Sequence, residues 1–130
     1  MTRQVRDVDK YLGPTLAKLG FRPEAVDSAV AYGDRPAWAI YYRGLDCKLQ
    51  VCWSARDGGI DFLLAPLDAP DEFGPSGGSQ GWQYLLMLST SDDGLTTPPL
   101  EASDDIWWKW REALLLAHVD EARTALSAEH

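Results

Sequence analysis

Residues 46–54 read Asp46-Cys47-Lys48-Leu49-Gln50-Val51-Cys52-Trp53-Ser54, and their alternation decides the fold. In an extended chain Cys47, Leu49, Val51 and Trp53 point one way, and Lys48, Gln50, Cys52 and Ser54 point the other. A period of two makes the run a strand with one apolar face and one wetter face. The two cysteines lie five residues apart and on opposite faces. Five strand residues span roughly 16 Å, beyond the ~7 Å limit between bridged Cα atoms, so they do not bridge each other. Cys52, on the wetter face, is expected to react with thiol reagents faster than Cys47.

The flanking runs follow the same logic. Residues 26–32 end at Gly33-Asp34-Arg35-Pro36, residues 37–43 at Arg43-Gly44, and residues 60–65 at Pro66. Turns this short join antiparallel neighbours, because parallel strands need a long crossover. Trp38, Ile40, Tyr42, Ile60, Phe62 and Leu64 extend the apolar face. The wetter face (Ala29, Ala31, Tyr41, Lys48, Gln50, Cys52, Asp61) is small or amphipathic and needs a cover of its own, from within the chain or from a partner.

Val5, Val8, Leu12, Leu16 and Leu19 recur at helical spacing, with Gly20 placed to end the helix and Phe21 to pack back on it. Gly13-Pro14 implies a kink or a fresh start, because proline removes a helical donor. At the other end, Ser103 is a suitable N-cap, and Asp104 and Asp105 suit the positive end of a helix dipole. This helix extends to about residue 127. It carries one stripe of Ile106, Trp107, Trp110, Leu114 and Ala117, and a second of Leu115, Val119, Ala122 and Leu126. Trp107 and Trp110 are assigned to the core side and Trp108 to the outside. Residues 66–81 and 90–103 are loops by composition, and residues 82–88 are a short apolar segment, helix or strand. The expectation is one α+β domain over residues 1–130. It has an N-terminal helix, a four-stranded antiparallel meander, a short apolar segment and a long C-terminal helix packed on one face of the sheet.

Charge narrows the function. The chain has 12 Lys+Arg and 20 Asp+Glu, for a net charge of −8. Residues 57–108 hold ten acids and no Lys or Arg. Such a chain is a poor binder of nucleic acid, whose affinity comes from neutralised phosphates, and no apolar run is long enough for a membrane span. Two unpaired cysteines and an N-terminus with no apolar leader predict a cytoplasmic protein.

No nucleophile elbow, phosphate loop, dinucleotide fingerprint or zinc motif is present. The acid pairs Asp71-Glu72, Asp92-Asp93 and Asp104-Asp105 lack the alternating calcium-loop pattern. No cofactor and no metal are expected. Gly74 to Gly81 has no base nearby, which makes it a flexible loop rather than a phosphate cradle. His118, between the two helix stripes, reads as a satisfied, partly buried histidine.

The chain is therefore expected to be a non-enzymatic acidic protein-binding module, using an acidic face from residues 57–108. In build it is similar to small acidic immunity proteins that neutralise a basic toxin, and to small secretion chaperones. Asp68, Asp71, Glu72, Asp92 and Asp93 would meet the Lys and Arg of a basic protein partner, with Trp108 as an anchor. A homodimer through the second stripe of the C-terminal helix is a further expectation. The alternative is a small-molecule-binding domain or minor enzyme, with an aromatic pocket between sheet and C-terminal helix under the 66–81 loop.

Overall fold

A computed structural model describes residues 3–32, 35–75 and 81–128. The turn at Gly33-Asp34, residues 76–80 of the glycine-rich run and His130 lie outside the described residues.

The elements run α1 (Arg3–Lys18), β1 (Arg22–Tyr32), β2 (Arg35–Arg43), β3 (Lys48–Ser54), β4 (Ile60–Ala65), β5 (Gln83–Tyr84), α2 (Leu85–Leu88) and α3 (Asp104–Ala128). The sheet is a five-stranded antiparallel meander in chain order. The apolar segment at 82–88 is thus strand and helix in succession: two residues pair with β4 and the next four coil into α2. The first strand begins at Arg22, four residues before its apolar run, because an edge strand tolerates Pro23 and charged side chains.

The α1 helix passes through Pro14 without interruption. It ends in a Schellman arrangement: the Phe21 N–H donates to the Leu16 carbonyl at 2.9 Å and the Gly20 N–H to the Ala17 carbonyl at 3.0 Å. Gly20 takes φ 89°, a conformation that side chains with a Cβ avoid.

Both long helices cover one face of the sheet. Trp38, Ile40, Tyr42, Leu49, Val51, Phe62 and Leu64 meet Val8, Leu12 and Leu16 of α1 and Trp108, Leu115, Val119, Ala122 and Leu126 of α3. The core stripe of α3 differs from the sequence expectation. Trp108 belongs to it, while Trp107 and Trp110 are only partly buried and Ile106 and Ala117 are exposed. The spacing explains the reversal. Positions 108, 115, 119, 122 and 126 keep heptad-like steps along the whole helix, so one straight face carries them all. The stripe from Ile106 to Ala117 stops halfway. Because Leu115, Val119 and Leu126 are buried in this chain's own core, the proposed dimer stripe is not available to a second copy.

Polar latches align the helices. The Tyr11 hydroxyl donates to Asp105, and the Thr15 hydroxyl to Glu112 at 2.6 Å. The Tyr11 ring stacks on Trp108, centroids 5.4 Å apart. Arg123 grips Asp46 at 2.7 Å and donates to the Leu19 carbonyl, tying α3 to the β2–β3 turn and to the end of α1.

The opposite face is covered from within the chain. Residues 66–75 cross it as a strap, and Trp82 closes over Ala39, Tyr41, Cys52, Leu63 and Ala65. The polar residues of β3 hold the strap. The Lys48 ammonium meets the Ala69 carbonyl at 3.0 Å, Glu24 at 3.2 Å and Asp71, which uses its three donors. Gln50, 0% exposed, donates to the Glu72 carbonyl at 2.9 Å and accepts from the Gly74 N–H at 2.8 Å. The Trp82 indole donates to the Pro70 carbonyl at 2.8 Å. The alternation in β3 therefore separates two buried faces, one against helices and one against the strap. Both cysteines are free thiols and both are buried, so Cys52 has no advantage in exposure.

Candidate functional site

The residues expected to form one acidic surface are distributed over both sides of the sheet. Asp68, Asp71 and Glu72 lie on the strap, and Asp71 is already paired with Lys48. Asp93 lies against α3, on the helix side, and Asp92 precedes it in an exposed turn. The Asp92 carboxylate accepts from the Gly94 N–H at 3.0 Å, and Asp93 meets the His118 Nε2 at 2.5 Å. Trp108, at 4% exposure, is a core residue rather than a surface anchor. Sequence reasoning placed it outside because it gave the core side to Trp107 and Trp110.

Of the pocket expected between sheet and C-terminal helix under the 66–81 loop, the described residues show separate parts: α3 and most of the strap lie on opposite faces of the sheet, and only Pro66 and Leu67 share a cleft, of about 250 Å³, with Leu126 and Ser127 of α3. The void beneath the strap, beside Cys52, Phe73 and Tyr84, measures only 10 Å³.

Ser89, Asp93, His118 and Glu121 make a cluster that sequence inspection missed, since its members are far apart in the chain. Ser89 Oγ lies 2.7 Å from His118 Nδ1 and 2.7 Å from Glu121 Oε2, and the Ser91 hydroxyl donates to the same Glu121 oxygen at 2.6 Å. The set resembles a nucleophile triad in composition, but Ser89 is 1% and His118 3% exposed, which closes both to a substrate. Its effect is structural. It clasps residues 89–93 to α3, and it lowers the Asp93 and Glu121 carboxyls through hydrogen bonds to each charged form, from the Leu95 N–H and His118 to Asp93 and from Ser91 and Ser89 to Glu121. His118 is satisfied at both ring nitrogens, as its position between the stripes implied.

Accessible surface of another kind surrounds the start of β4. Three clefts meet at Ile60. One, of about 260 Å³, is lined by Ile60, Phe62, Tyr84, Leu85, Met87 and Leu114 among others and is mostly apolar. A second, of about 510 Å³, lies among Gly58, Gly59, Leu100, Trp107, Trp110 and Arg111. A third, of about 240 Å³, includes Arg3, Trp53, Asp104 and Arg111. Met87 is 74% exposed, and Leu86 and Ile106 are also solvent-facing. Large apolar side chains thus stand in solvent around a concave surface.

The groove carries charge as well as apolar area. Asp57, Asp61 and Asp104 line it. Burial and the neighbouring Asp57 raise the Asp61 carboxyl above its ordinary range. Arg111 lies against Trp107 and Trp108, its guanidinium carbon 4.6 Å from the Trp108 ring centroid, and partial burial lowers its pKa. The Trp110 indole N–H is buried with no hydrogen-bond partner among the described residues. Within the described residues, no group of His, Cys, Asp and Glu side chains is arranged to hold a metal ion, and no helix is long and apolar enough to cross a membrane.

Comparison with protein-family models, with curated proteins and with solved structures found no match for this chain.

Proposed function

We propose that this chain is a non-enzymatic, acidic protein-binding module, and that its partner enters the groove centred on Ile60. The observation that carries the reading is the meeting of three clefts at one residue beside exposed Leu86 and Met87. Residues 57–62, 84–87 and 100–108 of the walls fall inside the stretch that has ten acids and no base. A partner with apolar side chains set among Lys or Arg complements that surface. Two buried free thiols fit a reducing cytoplasm.

The double substitution Leu86→Glu, Met87→Glu tests this reading, because both side chains are exposed and their loss leaves the core intact. Immobilised wild-type chain should retain a partner from its source lysate, and retention should weaken as salt rises. The double variant, with an unchanged melting temperature, should lose that partner. Identical proteins on both columns would refute binding at the groove.

A second reading, a small-molecule-binding domain, has one observation in its favour. In the cleft beside Trp107, the Arg111 guanidinium has no hydrogen-bond acceptor among the described residues, and Trp110 has an unused indole N–H. Small carboxylic acids would supply the missing acceptors. A melting-temperature screen should then find a stabilising carboxylate whose effect is lost in Arg111→Ala.

A further inference from the structure

We propose that the groove takes an extended segment of alternating apolar and basic residues, which adds to the sheet as a strand beside Ile60–Phe62. The inference rests on the protein-binding reading above and names the form and chemistry of the bound segment.

The argument begins with β5. Its two residues pair with β4 as Tyr84 with Leu63 and Gln83 with Leu64. Three more extended residues would have laid Leu85, Leu86 and Met87 beside Phe62, Asp61 and Ile60. The chain instead coils into α2 at Leu85. The outward edge of β4 over Ile60–Phe62 therefore has no strand partner among the described residues, although its other edge is fully paired with β3. The apolar cleft of about 260 Å³ lies along this same stretch.

The opposite edge of the sheet is treated differently. In β1 the register shifts between Pro23 and Ala25 and again between Asp27 and Val30. Proline, bulges and charges blunt an edge against unwanted pairing. The open part of β4 has regular register and no proline.

Side-chain alternation defines what fits. A residue paired beside Phe62 or Ile60 points to the helix side, toward Leu85 and Leu114. A residue paired beside Asp61 points to the strap side, where Asp61 and Asp57 stand close with no Lys or Arg in residues 57–108 to answer them. An apolar residue suits the first position and a Lys or Arg the second. Backbone hydrogen bonds supply the attachment and the alternate side chains the selectivity.

The test uses synthetic pentapeptides alternating leucine and lysine, one with free amides, one N-methylated at alternate amides, and one with glutamate for lysine. The free lysine peptide should bind, slow hydrogen exchange at an amide within Ile60–Phe62, and outcompete each of the others by tenfold or more. Asp61→Lys should reverse the preference between lysine and glutamate. Equal binding of the N-methylated peptide would overturn strand addition and leave groove binding intact. Absence of binding by every peptide would overturn strand addition, while the Leu86/Met87 double variant still decides the broader reading. Concentration-dependent dimerisation that protects the same amides would assign the edge to a second copy and overturn the proposal.

Discussion

Asp61 is the residue at which stability and the proposed binding oppose each other. Its carboxyl is partly buried, and no Lys or Arg pairs with it among the described residues. Burial raises its pKa, so the folded state is penalised by the charged form at neutral pH, and the penalty vanishes below the unfolded value of about 4. Asp61→Asn should therefore raise the melting temperature at pH 7. The gain should disappear at about pH 3, where both side chains are neutral. Equal gains at both pH values would show that charge is not the cause. The same substitution should weaken the lysine peptide. The thiols make a second prediction at this scale. Burial pushes Cys47 and Cys52 up to about 12, so both should resist a thiol reagent at pH 8 and react together only on unfolding. Rapid reaction of Cys52 alone would mean that the strap does not close over it.

Among the elements, the strap is held by the side chains of Lys48, Gln50 and Trp82, and Gln50 makes two of its hydrogen bonds. Gln50 gives its amide to the backbone of Glu72 and Gly74, standing in for a strand that is not there. Gln50→Ala leaves the buried Gly74 N–H and the part-buried Glu72 carbonyl without their partner, and a fully buried orphan costs about 1–3 kcal/mol. A net loss of about 2–3 kcal/mol is expected. Proteolysis and hydrogen exchange should rise first at residues 69–75, before the helix side is affected. Uniform loosening of the whole chain would contradict this. The α3 helix shows how an element is misread locally. Both stripes have helical spacing, so either one can be assigned to the core from the sequence. The continuous run from Trp108 to Leu126 was visible, but splitting the helix into halves hid it. Gly20, by contrast, was legible because a helix end is decided by four or five neighbouring residues.

For the molecule as a whole, the charge pattern sets the pH response. Glu24, Asp46, Asp93 and Glu121 are all lowered, first of all by hydrogen bonds to the charged form: from Arg43 to Glu24, Arg123 to Asp46, the Leu95 N–H to Asp93, and Ser91 to Glu121. A lowered carboxyl stabilises the fold above its unfolded pKa, and the contribution is lost as pH falls through the folded value. Asp61 acts in the other direction, one group against four. Thermal melts should show a plateau near neutral pH and a decline from about pH 4 downward. A melting temperature that stays level to pH 3 would mean that these latches contribute nothing.

The sequence by itself determined the antiparallel order of the first four strands, which residues of β2 to β4 share a face, and the end of the first helix. Each follows from alternation, turn length and local capping, interactions that span only a few residues. It also determined that ten acids would gather in one stretch without a base. Tertiary structure alone decided that the wetter sheet face would be buried by the strap, that the acids would divide between both sides of the sheet, and that Trp108 would point inward. It alone decided that β5 would stop after two residues and leave part of β4 open. The physical reason is that burial is settled by competition among distant segments for the same surface. A strand's pattern shows that a face needs cover, and only packing shows which residues supply it.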